Sequence, residues 1–78
     1  MWKVYILKCN DSTHYTGCTS NIDDRMKKHE KGEVDYTSTR LPVTLICYIS
    51  FVDKYKAYNF EKYLKSGSGK AFAQKRFF

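Results

Sequence analysis

The sequence predicts an α+β domain, a small three-stranded and mostly antiparallel sheet flanked by two or three helices. The predicted order is β-β-α-β-α, with a further short helix at the end. Three observations point there. Residues 2–9 alternate in the manner of a strand, residues 43–51 are rich in β-branched and aromatic side chains, and two later stretches repeat apolar residues at helical spacing behind capping residues. Seventy-eight residues allow one domain, spanning 1–78. A chain of that size buries only about 60% of its unfolded surface. A doubly wound cofactor domain and a barrel enzyme are both excluded by length.

Each element has its own signal. From Trp2 to Cys9, Trp2, Val4 and Ile6 fall on one side and Tyr5, Leu7 and Cys9 on the other, which describes a strand covered on both faces. Asn10-Asp11-Ser12-Thr13 is a turn cluster, and His14 to Cys18 returns as the second strand of a hairpin. Gly17 within it signals a bulge or a close approach. Ser20 is a helix cap followed by Asp23 and Asp24 at the positive end, and the helix runs through Ile22, Met26 and His29 to a stop at Gly32. Residues 33–42 read as a polar loop. Val43 to Phe51 is the third strand, whose pairing direction hairpin logic does not supply. Asp53 caps a second helix through Leu64, Ser66-Gly67-Ser68-Gly69 breaks it, and Ala71 to Phe77 forms a short third helix.

Composition narrows the function. The net charge is +6, with 17% aromatic residues, a balance that favours a polyanionic partner, nucleic acid first. A solvated lysine surface is the plain alternative. No apolar run reaches the ~20 residues of a membrane span, and the first eight residues lack the apolar core of a secretion signal. Cys9, Cys18 and Cys47 are odd in number and show no paired ligand spacing, so reduced thiols in the cytoplasm are expected rather than disulfides or zinc. Gly67-Ser68-Gly69-Lys70 lacks the spacing of a phosphate loop.

Charged residues in awkward places mark the candidate site. On the second helix Glu61 falls about 40° from Ala57, inside the apolar arc. A carboxylate there needs a cation, a metal or hydrogen-bond donors. A structural salt bridge to a lysine or arginine and a functional site stand as equal readings. On the first helix Arg25 and His29 are i,i+4 neighbours flanking the apolar stripe, while Asp24, Lys27 and Lys28 take the open face. Arginine offers a planar donor fork for phosphate, and glutamate a hard oxygen ligand for Mg²⁺. Tyr5 and Tyr15 share a sheet face if the hairpin loop holds an odd number of residues. Without further context a tyrosine or histidine in these positions is a core residue with a satisfied polar atom.

Together these residues resemble the GIY-YIG nuclease family, in particular its small stand-alone members, which are similar to the N-terminal nuclease domain of the bacterial excision-repair incision subunit. The first motif appears as Lys3-Val4-Tyr5 and the second as Tyr15-Thr16-Gly17. Arg25 with His29, Tyr36-Thr37 after Gly32, and Phe60-Glu61 complete an ordered set of five, and the tail from Leu64 to Ala73 is similar as well. Lys3-Val4 stands where the family has Gly-Ile, and Thr16 where it has Ile. The resemblance implies an endonuclease hydrolysing phosphodiester bonds in structured or damaged DNA, with RNA as a further substrate class. It implies one Mg²⁺ or Mn²⁺ ion on Glu61, and catalytic roles for Tyr5, Tyr15, Arg25, His29 and Glu61. Tyr5 would be the base, helped by the positive charge of Arg25 and the metal, with exchange of that role among Tyr5, Tyr15 and His29 left open. Nucleic-acid contacts are expected from Lys3, Gly17, Tyr36, Arg40 and Lys70, and stacking from Trp2, Tyr36 and Phe72. A homodimer or a place in a larger repair complex would supply the second cut of a duplex. A nucleic-acid-binding module without cleavage is the alternative, and a protein-interaction domain the third.

Overall fold

A computed structural model describes residues 1–78. Strands β1 (Trp2–Lys8), β2 (His14–Thr19) and β3 (Thr44–Phe51) form one sheet in the order β2-β1-β3. Both pairings are antiparallel, so the direction of β3 is settled. Helices are α1 (Ile22–Glu30), the single turn α2 (Asp35–Ser38), α3 (Lys54–Leu64) and α4 (Gly67–Arg76). No helix is long and apolar enough to cross a membrane.

The central strand β1 is covered on both faces, as its alternation predicts. Val4 and Ile6 point to one side and join Ala57, Leu64 and Ala73 in the core beneath α3 and α4. Tyr5 and Leu7 point to the other and are fully buried there. Residues 9–13 make the hairpin loop odd in length, and the register pairs Tyr5 with Gly17 and Leu7 with Tyr15. Tyr5 and Tyr15 therefore share a face, on the α1 side of the sheet.

Three local expectations are corrected. The cap of α1 is Asn21 rather than Ser20: its side chain accepts from the Asp24 N–H, and its amide donates back to the Asp24 carboxylate at 3.0 Å. The 33–42 segment is not wholly loop, because α2 interrupts it. The Ser66–Gly69 stretch starts α4 rather than merely ending α3, for the Ser66 hydroxyl accepts from the Gly69 N–H. Glycine is needed at 69 because α3 and α4 approach so closely that a Cβ would collide with the Tyr63 carbonyl. Gly32, with φ 74°, ends α1 as expected.

Trp2 and Phe72 are partly buried and pack against the core. Tyr36 stays 39% exposed.

Candidate active site

The site forms around β2. That strand is the sheet edge, so side chains from α1 on one face and α3 on the other reach the same neighbourhood. Tyr5 crosses over Gly17, its partner on β2, where any Cβ would strike the phenol ring and hydroxyl. Gly17 thus makes room for Tyr5, which identifies the close approach signalled by the sequence; no bulge occurs at this pairing. The register irregularity lies on the other side of β1, between Ile6 and Leu7 against β3.

Beneath Gly17 runs a buried hydrogen-bond chain. Tyr5 Oη lies 2.9 Å from His29 Nε2, and His29 Nδ1 lies 2.7 Å from Thr37 Oγ1, which in turn donates to the Val34 carbonyl at 3.4 Å. Tyr5, His29 and Thr37 are each fully buried. One arrangement of protons gives every donor an acceptor: Tyr5 O–H donates to Nε2, and Nδ1–H donates to Thr37. Burial, and secondarily the Arg25 charge, hold the imidazole below its ordinary pKa, which keeps it neutral. Thr37 is the member that sequence reasoning passed over as a site residue. Its only signal was the Tyr36-Thr37 pair following Gly32.

Burial also dominates Tyr5, whose phenol is pushed up to about 12. The Arg25 guanidinium opposes this, while the neighbouring Tyr15 and Glu61 reinforce it. The expected help from Arg25 is therefore present but outweighed, and Tyr5 is neutral at physiological pH. Tyr15 differs. Its ring stands edge-on to His29 at 5.2 Å and 5.7 Å from that of Tyr36, and it lines an open groove.

Glu61 and Arg25 both act on Tyr5 and on the Cys18 thiol, with opposite signs. The two charges therefore share one electrostatic neighbourhood across the β2 edge. Burial is the first cause of the raised Cys18 pKa, with Glu61 next. Glu61 is not bare: Lys65, one helical turn on, donates to its carboxylate at 2.9 Å. The lysine side chain is 54% exposed and the glutamate 21%, so the pair sits where water and solute can compete for it. The i,i+4 spacing of Glu61 and Lys65 was legible in the sequence, yet the lysine was not singled out.

No group of three or more metal-ligating side chains comes together. A pre-formed protein cage is thus absent, but Mg²⁺ commonly takes one or two carboxylates and completes its shell with water and substrate phosphate. Glu61 already holds a cation, the Lys65 ammonium, at an exposed position. The donor set fits an ion shared with substrate.

The remaining expected contacts divide. Lys70 lines the groove beside Tyr15 and Tyr36. Lys3 lies on the Tyr5 face of β1, its ammonium 5.8 Å from the Tyr48 ring. Arg40 is engaged within the protein: it pairs with Asp11 at 3.0 Å, donates to the Tyr36 carbonyl and stacks 4.0 Å from the Tyr36 ring. Its evident task is to hold Tyr36.

The chain is similar to known proteins along nearly its whole length. The GIY-YIG catalytic domain model matches residues 1–76. The UPF0213 protein CPE1444 of Clostridium perfringens is 44% identical over 63 residues, covering 80% of this chain and 68% of that protein. The UPF0213 protein SH2523 of Staphylococcus haemolyticus is 41% identical over 66 residues, covering 83% and 80%. Some matched relatives are longer, and the similar region spans 51% of one from Streptococcus sanguinis. The solution NMR structure of the UPF0213 protein BH0048 from Bacillus halodurans superposes with a TM-score of 0.61 at 35% identity, covering 99% of this chain and 87% of that one. The order of elements, the paired tyrosines and the end-to-end match lead to one conclusion: this chain belongs to the GIY-YIG catalytic domain family, a nuclease superfamily whose members generally use divalent metals.

Proposed function

We propose that the protein is a divalent-metal-dependent endonuclease that hydrolyses phosphodiester bonds in DNA, with Tyr15, in its deprotonated phenolate form, as the group that accepts the proton of the attacking water and becomes the phenol. The observation that carries the assignment is exposure. Of the three base candidates, Tyr5 and His29 are fully buried, and Tyr15 alone faces the groove. A base must come within hydrogen-bond reach of the water it activates.

The other residues then have distinct tasks. Arg25 supplies the planar fork that meets the charge developing on phosphate oxygens. Tyr5 and His29, backed by Thr37, form the floor against which the Tyr15 ring rests, and Arg25 acts on Tyr5 and His29 from the same side. Glu61 would hold one Mg²⁺ or Mn²⁺ jointly with the substrate phosphate. When bound, such an ion polarises the scissile phosphate and stabilises the departing oxygen. Lys65 must release Glu61 for this to happen, and its exposed ammonium can turn to phosphate instead.

The Glu61–Lys65 pair also supports a second reading, a nucleic-acid-binding module in which the pair is purely structural. The two separate cleanly. Supercoiled plasmid and branched or flapped oligonucleotides are incubated with Mg²⁺, Mn²⁺ or EDTA. The nuclease reading expects nicking with either metal, none in EDTA, and loss of at least about 100-fold in Glu61→Ala, in line with removal of a metal ligand. Robust cutting by Glu61→Ala would remove the metal role. Salt-dependent binding with no product in any arm would leave the binding module.

A further inference from the structure

We infer that the groove between β2 and α4 is a binding site for a single-stranded nucleic-acid segment leading away from the candidate active site. Its substrate class rests on the nuclease reading above. The groove has a volume of about 560 Å³ and is lined by Tyr15, the candidate base. The Tyr36 ring stands 5.7 Å from that of Tyr15, Lys65 and Lys70 contribute ammonium groups, and Gln74 and Phe78 complete the lining. Lys65 is also the partner of Glu61. A strand whose scissile phosphate met Tyr15 and Glu61 would therefore continue directly into the groove.

Its chemistry matches one occupant. No Asp or Glu is among its lining residues, and α4 carries no acidic residue in its first turn and two basic ones in its last. Lys70, joined by Lys65 when it leaves Glu61, favours a polyanion. The aromatic rings distinguish which polyanion. Tyr36 is 39% exposed, yet it is held by Arg40 stacked 4.0 Å from its ring and anchored to Asp11. With Arg40 over one face, the exposed remainder of this fixed ring, beside ammonium groups, offers a stacking surface to an unpaired base. Phe78 stacks on His14, with centroids 3.8 Å apart and planes within 9°, which adds a second flat surface. A recess of this volume is of small-ligand size. It takes a base with its phosphates but not a pair of strands, whose base faces are already stacked on one another.

The test is done in EDTA, so that binding is read without cleavage. Fluorescence anisotropy follows a labelled single strand of about ten nucleotides, a length within the range one small domain covers, and a blunt duplex of equal length. Wild-type protein is expected to favour the single strand by about fivefold or more, the worth of roughly one stacked base. Lys70→Glu combined with Gln74→Glu is expected to weaken single-strand binding by about tenfold or more at low salt. Lys28→Glu, a charge reversal on the exposed face of α1, is expected to change it little. Amide spectra of each variant verify the fold. In a titration of the wild type, perturbed amides should centre on Thr16, Tyr36, Lys70 and Gln74. Equal losses in the Lys28 and groove variants, perturbations centred on α1, or duplex binding as tight as single-strand binding would overturn the site. Magnesium-dependent nicking is measured in parallel. Nicking without single-strand preference removes the groove and leaves the nuclease reading. Groove-dependent binding without nicking does the reverse.

Discussion

Tyr5 and Tyr15 stand on the same sheet face with ring centroids 6.2 Å apart, yet they live in different solvents. Tyr5 is sealed under Gly17 and bonded to His29, and burial pushes its phenol to about 12. Tyr15 opens onto a groove with two lysines. The dry half has every buried polar atom paired, which holds it in one arrangement. The wet half contains an ion pair that can exchange partners. On the proposed nuclease reading, chemistry that needs water, phosphate and a metal falls to the wet half. The dry half keeps its geometry constant. Two tyrosines on one sheet face, Tyr5 opposite Gly17 and Tyr15 opposite Leu7, thus differ in environment because the fold gives one of them no access to solvent.

The largest expected effect breaks this contrast directly. Tyr15→Phe should lower the nicking rate by about 10²–10⁴, the usual worth of a positioned base, with the fold unchanged. Tyr5→Phe should lower it less. It should instead cost about 1–3 kcal/mol of stability, since the buried Nε2 of His29 is left without a partner. Initial rates and urea midpoints for the two variants check the ranking, and the reverse order would return the base role to Tyr5.

Next in size is Gly17→Ala, which forces a methyl group into the Tyr5 hydroxyl. Overpacking of this kind costs about 1–3 kcal/mol. A fall in melting temperature should accompany displacement of the Tyr5 and His29 ring signals in NMR spectra. An unshifted melting temperature would show that the dry half is looser than its contacts imply.

The pH dependence of stability sharpens the same comparison. His29 is held below its ordinary 6.5 in the folded state, so the unfolded chain takes up the proton first. Stability should therefore decrease as pH falls below about 6.5. Tyr5 is raised from 10.0 to about 12, so the unfolded chain loses that proton first, and stability should decrease again as pH rises from 10 toward 12. Urea denaturation across this range should show both limbs, and Tyr5→Phe should flatten the alkaline one. A profile without an acid limb would contradict a neutral buried His29.

Lys65→Met is the mildest change. An exposed i,i+4 pair is worth about 0.3–0.5 kcal/mol, so folding should hardly respond. The wet half should respond more, because a competitor for Glu61 has gone. Paramagnetic broadening of amides around residue 61 should require about twofold less Mn²⁺ than in wild type, roughly the strength of the lost surface pair. Unchanged broadening would mean that Lys65 and the ion do not share the carboxylate.

How much of this was legible beforehand depends on the range of the interaction involved. The three strands, the stop at Gly32 and the cap at Asp53 are local events, governed by backbone preference and by neighbours a few residues apart. The parity of the hairpin loop was enough to state the condition under which Tyr5 and Tyr15 share a face, and the loop of residues 9–13 meets it. The Ser20 cap missed by one residue because Asn21, not Ser20, has the geometry to reach the Asp24 N–H. The α2 turn was missed because Asp35-Tyr36-Thr37-Ser38 has little helical preference of its own. Its Thr37 hydroxyl is buried against His29, a tertiary contact.

The amino-acid order by itself determined the three strands, the helices α1 and α3 and, through its ordered motifs, the family to which the chain belongs, since these depend on periodicity and on local sequence. Only the tertiary structure decided which tyrosine is dry and which is wet, that burial outweighs Arg25 at Tyr5, and that Lys65 holds Glu61. Those outcomes depend on desolvation and on distances between residues far apart in the chain, and neither quantity is carried by any local run of residues.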